Sequence, residues 1–198
     1  MNGKEREKSL VKVFDFDNTI YNGESSFDFA LFMVKKKKSL IKYLPNFLYL
    51  LVLYKLCLLS SEDFVKRLEK FMGVFMENKE FTLQCIKEFW LLNVEKLYPH
   101  MLKKITPNDV ISTACPSFLI EEIKDVLNTD HILDTKIDIE TGKITMLNFQ
   151  KNKVETFKKA FPKAKVKSFY TDSYNDKPFM EISENVYLVK KGKCKKIK

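Results

Sequence analysis

The fold of this chain is decided at residues 10–19, which read LVKVFDFDNT. The stretch Leu10–Phe14 is a short apolar run, and Asp15 and Asp17 follow it, so the segment is predicted to be a buried strand with carboxylates at its carboxyl end. Side chains alternate with period two along an extended chain, which puts both carboxylates on the same side. Acidic pairs also occur in calcium sites and solvated loops, so the meaning of this pair depends on the rest of the chain.

The segment after this strand is predicted to be helical. Apolar residues recur at helical spacing from about residue 25 to 105, and glycine is almost absent. Four helices fit this pattern, near residues 26–37, 40–58, 61–77 and 80–104, with a break expected at Pro99. Residues 43–59 are nearly continuously apolar, and three interpretations stay open for them: a core helix, a helix at a membrane interface, or a short membrane span.

Short strands and helices alternate in the rest of the chain. Strands are expected near 110–113, 166–170 and 186–189, helices near 116–127, 153–161 and 174–183, and an extended or hairpin segment over 132–146. This pattern predicts an α/β protein with a three-layer Rossmann-like core, built on a parallel sheet and formed by residues 1–22 and 107–198. A helical cap, residues 23–106, is inserted after the first strand. Open parallel sheets bind ligands beyond the carboxyl ends of their strands.

The composition excludes several kinds of site. The five glycines are too far apart for a glycine-rich phosphate loop, and His100 and His131 do not form a metal-binding pair, so any metal is expected to be held by oxygen ligands. The four cysteines show neither C-x-x-C nor disulfide-framework spacing, and no signal-peptide run follows the charged residues 1–8. A cytoplasmic protein is therefore expected.

The positive charge of the chain is concentrated in two clusters. The formal net charge is +9, and the four lysines at 35–38 together with six lysines at 190–198 exceed that excess. Such runs are typical of solvated surface or a frayed tail, although they also attract phosphates, nucleic acid or anionic lipid. No specific nucleic-acid partner is expected, and weak contact of the cluster at 35–38 and the segment 43–59 with an anionic membrane surface stays open.

Further polar groups follow the later strands or begin helices. Thr113 offers a hydroxyl, Lys153 a cation, and Asp172 and Asp176 a second pair of carboxylates. Together with the first acidic pair, these are the groups that phosphoryl transfer requires.

These residues resemble the haloacid dehalogenase-like hydrolase superfamily, in its phosphoserine phosphatase-like branch (subfamily IB type), which carries a helical cap after the first motif. Four motifs in order carry the resemblance: DFDNT at 15–19, ISTACP at 111–116, KVE at 153–155 and YTDSYND at 170–176. The resemblance covers nearly the whole chain.

The resemblance implies a magnesium-dependent phosphatase that hydrolyses a phosphate monoester of a small metabolite. Asp15 would be the nucleophile that forms an aspartyl-phosphate, and Asp17 would protonate the leaving oxygen and then activate water. Mg²⁺ would be held by the Asp15 carboxylate, the Asp17 backbone carbonyl and Asp172, all of them hard oxygen ligands.

The other motif residues are implied in supporting roles. Asp176 would support the metal site, Thr113 would hydrogen-bond the phosphate, and Lys153 would neutralise charge on the nucleophile and the transferring group. Ser112 is a second candidate for the phosphate-binding hydroxyl. The chain departs from the family pattern at Asn18, where many members have glycine, and at Thr171, where glycine or serine is usual.

Two residues bear on substrate specificity. Glu24 follows the first motif, and Arg67 lies in the cap at a place that looks like the carboxylate-binding arginine of phosphoserine phosphatases. The alternative is that Glu24 supports a helix start and that Arg67 pairs with Asp63 on a helix surface.

Two further functions stay open besides the phosphatase. One is phosphoryl transfer to an acceptor other than water, and the other is a weakly catalytic protein that binds a membrane surface or a partner. The substrate and the oligomeric state are not predicted.

Overall fold

The computed structural model describes residues 10–56 and 58–198, and in them seven strands form one sheet. The strands are β1 Leu10–Phe14, β2 Val110–Pro116, β3 Ile132–Ile137, β4 Ile144–Met146, β5 Lys165–Thr171, β6 Ser183–Lys190 and β7 Lys193–Lys196. Their order is β4-β3-β2-β1-β5-β6-β7. The five inner strands are parallel, whereas β4 and β7 pair antiparallel at the two edges. The predicted α/β fold is confirmed, and β1 is the central strand.

Helices fill the connections between the strands. They are α1 Ser25–Lys36, α2 Leu44–Lys55, α3 Ser61–Phe75, α4 Lys79–Asn93, α5 Pro99–Leu102, α6 Ser117–Ile120, α7 Lys151–Ala160 and α8 Lys177–Ile182. The five helices α1 to α5 lie between β1 and β2, as the insertion of a helical cap after the first strand predicts. Within the described ranges, no helix combines the length and the apolar character that crossing a membrane requires.

Two predicted cap helices are shorter than expected. The helix predicted over 40–58 divides into a 3₁₀ turn, Lys38–Tyr43, and α2, because Pro45 lacks an amide proton and is accommodated only in a first helical turn. The helix predicted over 80–104 ends at Asn93, whose side-chain amide donates to the Phe89 carbonyl at 2.8 Å. That bond competes with continuation of the helix. Pro99 then opens α5, so the break comes earlier than predicted.

Three details of the core also differ from the prediction. The helix expected over 116–127 is α only in α6 and continues as a 3₁₀ turn, Glu121–Val126. The helix expected over 174–183 likewise begins as a 3₁₀ turn, Tyr174–Asp176. Part of the lysine-rich end, expected as solvated surface or a frayed tail, forms β7; its lysines are exposed, and its backbone pairs with β6. The predicted hairpin over 132–146 is confirmed as β3 and β4.

The sheet is covered on both faces, as the alternation along β1 requires. Val11 and Val13 belong to a buried cluster with α7 and α8, whereas Phe14 belongs to a second cluster with α6 and the cap. This second cluster continues without interruption from the sheet through Phe16 to Trp90 of α4. The division into a core of residues 1–22 and 107–198 and a cap of residues 23–106 stays a prediction, because one apolar cluster runs through both.

Besides this apolar cluster and the bond from Trp90 Nε1 to the Leu119 carbonyl, at 2.7 Å, two sets of backbone-amide contacts join the cap to the core. At its linkers, the Asn22 amide donates to the Lys96 carbonyl at 2.9 Å, and the Tyr98 amide donates to the Ile20 carbonyl at 2.8 Å. At the other place, the hairpin between β3 and β4 meets α3, and the Ile144 amide donates to Glu69 Oε1 at 2.9 Å.

The turn of this hairpin approaches α3 closely. Gly142 has a φ of +68°, and a Cβ atom there would lie 3.1 Å from the Gly73 amide nitrogen. Glycine is therefore the residue that fits this position. An ion pair between Glu140 and Lys79 adds a further link between the hairpin and the cap.

Candidate active site

The centre of the site is Asp15, the first residue after β1. Its amide donates to the Tyr170 carbonyl of β5 at 2.8 Å, which continues the parallel ladder and holds its carboxylate beyond the end of the sheet. The residue is buried, with 7% exposure. The Lys153 ammonium, from the first turn of α7, donates to Asp15 Oδ1 at 2.8 Å.

Lys153 also contacts a second carboxylate. Its Nζ lies 3.0 Å from Oδ1 of Asp176 and 3.1 Å from Oδ2, and both residues are buried at 3% exposure. Thr171, the last residue of β5, donates from Oγ1 to Asp176 Oδ2 at 2.8 Å. Lys153 therefore links Asp15, which follows β1, to Asp176, which follows β5. The Thr171 hydroxyl orients the Asp176 carboxylate.

The charges at this centre do not balance. Burial raises the pKa of Asp15; Lys153 opposes this shift, and the negative charges of Asp176 and Asp172 add to it. Burial alone would lower the pKa of Lys153, but the attraction of Asp15 and Asp176 outweighs it and raises that pKa above the ordinary value of lysine. Lys153 therefore stays charged, and two buried carboxyl groups, Asp15 and Asp176, share its ammonium.

Asp17 is held by the start of α1. The Ser25 amide donates to Asp17 Oδ1 at 2.7 Å, in the position where a helix N-terminus favours a carboxylate. Between them the chain turns at Asn18, which has a φ of +55°. Asparagine tolerates this left-handed conformation better than most residues, and this explains why it can replace glycine there.

Glu24 completes this turn. Asn18 Nδ2 donates to Glu24 Oε1 at 2.9 Å, and Glu24 immediately precedes α1. Its side chain also lines a cavity beside Asp17. Arg67, by contrast, is exposed on α3 and is not among the described residues that line this cavity. The structure brings Glu24 to the site and does not bring Arg67 to that cavity.

The two candidate hydroxyls on β2 have different partners. Thr113 Oγ1 accepts a hydrogen bond from the Cys115 amide at 3.0 Å. Ser112 Oγ contacts Asn148 Nδ2 at 3.2 Å, and the same nitrogen donates to the carbonyls of Thr113 and Leu133. Ser112 therefore belongs to a polar network that joins β2 and β3.

The comparisons with known proteins identify the family of this chain. The family model described as haloacid dehalogenase-like hydrolase matches residues 13–181. The chain belongs to this family. The predicted membership of the haloacid dehalogenase-like superfamily is thereby confirmed. Among curated proteins, no sequence matches the chain significantly.

Three solved structures share the fold. The chain is similar to a protein of unknown function from Bordetella pertussis Tohama I, with 19% identity over 88% of this chain and 86% of that one, and a TM-score of 0.71. A phosphoserine phosphohydrolase-like protein from Francisella tularensis subsp. tularensis SCHU S4 is 20% identical over 89% and 85%, with a TM-score of 0.58. DsGPDH of Dunaliella salina is 13% identical over 90% of this chain but 31% of that one, with a TM-score of 0.59. At these identities the likeness is one of fold.

The donor set is compatible with the magnesium that the family fold implies. Asp15 and Asp172 offer hard carboxylate oxygens, the kind of donor that Mg²⁺ prefers. In the described part of the chain, no three side chains of His, Cys, Asp or Glu lie close enough together to hold a metal ion. Magnesium needs only one or two carboxylates, with water and phosphate oxygens completing its shell.

One contributor was missed from the sequence. Thr171 is noted there only as a departure from the family pattern, whereas its hydroxyl is a direct partner of Asp176. The sequence could have indicated this role. Thr171 is the last residue of a buried strand and precedes an aspartate, so its hydroxyl lies at the same carboxyl end of the sheet as the other polar groups.

Proposed function

We propose that this hydrolase cleaves phosphate monoesters through a covalent aspartyl-phosphate on Asp15. The observation that carries the proposal is the pair of buried contacts from Lys153 to Asp15 and Asp176 at the carboxyl end of the sheet. These contacts hold a nucleophilic carboxylate at a fixed place beside a permanent positive charge. A phosphoryl group bound there would have its developing charge stabilised by the same ammonium.

The two chemical steps use Asp15 and Asp17. In the first step, an oxygen of Asp15 attacks phosphorus, the bond from phosphorus to the leaving oxygen breaks, and Asp17 gives its proton to that oxygen. In the second step, Asp17 takes a proton from a water molecule whose oxygen attacks phosphorus. The bond to Asp15 breaks, and inorganic phosphate leaves.

The remaining residues support these steps. Thr113 would donate its hydroxyl to a phosphate oxygen, and Asp176 would keep Lys153 in place. Asp15, the Asp17 carbonyl and Asp172 would hold Mg²⁺, which would supply positive charge to the phosphate oxygens.

The proposal is tested with Asp15→Asn, which removes the nucleophile at nearly constant shape. Magnesium-dependent release of 4-nitrophenol from 4-nitrophenyl phosphate should fall by at least about a thousandfold, equivalent to roughly 4 kcal/mol of barrier. Asp125→Asn, at an exposed aspartate outside the site, is the matched control and should keep wild-type activity. Mass spectrometry of the acid-quenched wild type should find a phosphoryl group on Asp15. Activity of Asp15→Asn within about tenfold of the wild type would refute the assignment.

We also propose that α2 rests on anionic membrane surfaces. Tyr49, Val52 and Leu56 are spaced along one side of this helix, and each is more than half exposed. Lys35 and Lys38 are exposed in the preceding segment and can face lipid phosphates. The rest of that lysine cluster is engaged with glutamates.

Sedimentation with vesicles tests this contact. The wild type should bind vesicles of phosphatidylserine and phosphatidylcholine, should bind less in high salt, and should not bind phosphatidylcholine alone. Val52→Ser with Leu56→Ser should abolish binding, whereas Leu91→Ser, at an exposed leucine of α4, should leave it unchanged. Equal binding by both variants would refute the role of α2.

A further inference from the structure

The cavity beside Asp17 is almost entirely apolar. It has a volume of about 140 Å³ and lies between α1, α2, α3 and the end of the sheet. Its apolar walls include Phe47, Leu51, Phe64, Leu68, Phe118 and Phe149. Asp17 and Glu24 are the two charged residues of its lining, whereas Asp15 is not part of it. The cavity therefore extends from Asp17 into the hydrophobic interior of the cap.

The charge of the lining limits what can enter. Among the described residues that form it there is no lysine or arginine, and both charged side chains are carboxylates. A leaving group with its own carboxylate would be repelled by Glu24 and would find no cation to pair with. Arg67, the candidate from the sequence for this cation, is exposed on the surface of α3.

The cavity lies beside Asp17, and this position indicates which part of a substrate would bind in it. Asp17 is the proposed donor to the leaving oxygen, so the group attached to that oxygen extends toward the cavity. An apolar cavity of about 150 Å³ holds a molecule of the size of benzene, which has six carbons. A hydrocarbon group of about that size fits here.

We propose that the substrate is the phosphate monoester of an apolar alcohol, whose hydrocarbon part fills this cavity. The inference rests on the proposed phosphatase function, because it assigns the substrate class of the same site. Its leaving group is neutral and hydrophobic, unlike that of phosphoserine, for which Arg67 is the candidate carboxylate-binding residue from the sequence.

A series of unbranched alkyl phosphates tests the inference, because their leaving oxygens have nearly equal pKa values. The kcat/KM should rise about fourfold for each added methylene from ethyl to hexyl phosphate, and should level off beyond about six carbons. Phosphoserine should be a poorer substrate than butyl phosphate. A flat or falling series, or a preference for phosphoserine, would overturn the inference.

A variant that fills the cavity provides a second test. Ala30 is buried in its wall, and Ala30→Leu should remove the gain from ethyl to hexyl phosphate while ethyl phosphate is still hydrolysed. Ala164→Leu is the matched control, since Ala164 packs against the cluster on the other face of the sheet, and it should keep the full series. If Ala30→Leu keeps the rise of kcat/KM from ethyl to hexyl phosphate, the inference is overturned.

Binding of alkylphosphonates, which lack the bond that is cleaved, separates this inference from the proposed function. Calorimetry should give a Kd for hexylphosphonate at least about tenfold below that for ethylphosphonate. If this difference is found but no phosphate ester is hydrolysed, the phosphatase function falls and the apolar site stands. Equal Kd values would overturn the apolar site whatever the activity.

Discussion

Replacing Lys153 by methionine should destabilise the protein strongly, because one ammonium holds two buried carboxylates together. Its Nζ lies 2.8 Å from Asp15 and 3.0 Å from Asp176. At an effective dielectric constant of about 20, each attraction amounts to roughly 6 kcal/mol before the cost of burying the charges is subtracted. After that cost, removing one partner of a buried pair usually destabilises by about 3–5 kcal/mol.

Urea denaturation measures this loss. With a slope of about 2 kcal/mol per molar urea, the midpoint should fall by roughly 2 M. Lys158→Met, at an exposed lysine of the same helix, is the control and should shift the free energy of unfolding by less than about 0.5 kcal/mol. Asp176→Asn added to Lys153→Met should recover part of the loss, because it removes one of the unpaired charges. A free energy of unfolding of Lys153→Met within about 1 kcal/mol of the wild-type value would refute this account. A double variant that is less stable than Lys153→Met alone would also refute it.

Three further predictions concern the leaving group, the phosphate hydroxyl and the fold. Asp17→Asn should slow ethyl phosphate hydrolysis by at least about a hundredfold and 4-nitrophenyl phosphate hydrolysis less, because nitrophenolate leaves without a proton; equal losses would contradict the acid role. Thr113→Val should lower kcat/KM by roughly ten- to a hundredfold, whereas Ser112→Ala should lower only the free energy of unfolding; the reverse pattern would exchange their roles. Burial alone would raise the pKa of Asp109, but its hydrogen bonds outweigh this and lower it. Wild type should therefore exceed Asp109→Asn in free energy of unfolding by about 1.5–3 kcal/mol above pH 4, and urea titrations at lower pH should show this difference shrinking. A difference that does not depend on pH would refute the charged role of Asp109.

Local patterns predict where Asp15 and Lys153 lie in their strand and helix, and the family resemblance predicts that they belong to one site. An apolar run that ends at Asp15 predicts a strand with its carboxylate at the carboxyl end, and Lys153 begins a predicted helix. The order of the strands and the family resemblance then bring these groups together. Asp176 follows from the same logic, since it comes just after β5.

Other features depend on contacts that the sequence pattern does not contain. Strand β7 has no apolar alternation, and it forms because its backbone hydrogen bonds to β6 do not depend on side-chain type. The exposure of Arg67 depends on which face of α3 meets the sheet, and the apolar lining of the cavity depends on the packing of three cap helices. Helical periodicity shows that such faces exist but does not show which of them meet.

The contact between Gly142 and α3 has a consequence for how substrate reaches the site. A cap joined only by its two linkers could swing open as a rigid lid about them. Here the β3–β4 hairpin also latches the far side of the cap, through the Glu69 carboxylate and the close approach at Gly142. Opening of the cap therefore requires these hairpin contacts to break, as well as the buried bond from Trp90 to the Leu119 carbonyl, and hydrogen exchange at the Ile144 amide would report the hairpin step. A movement of the cap would then depend on a hairpin of the core that contains none of the proposed catalytic residues.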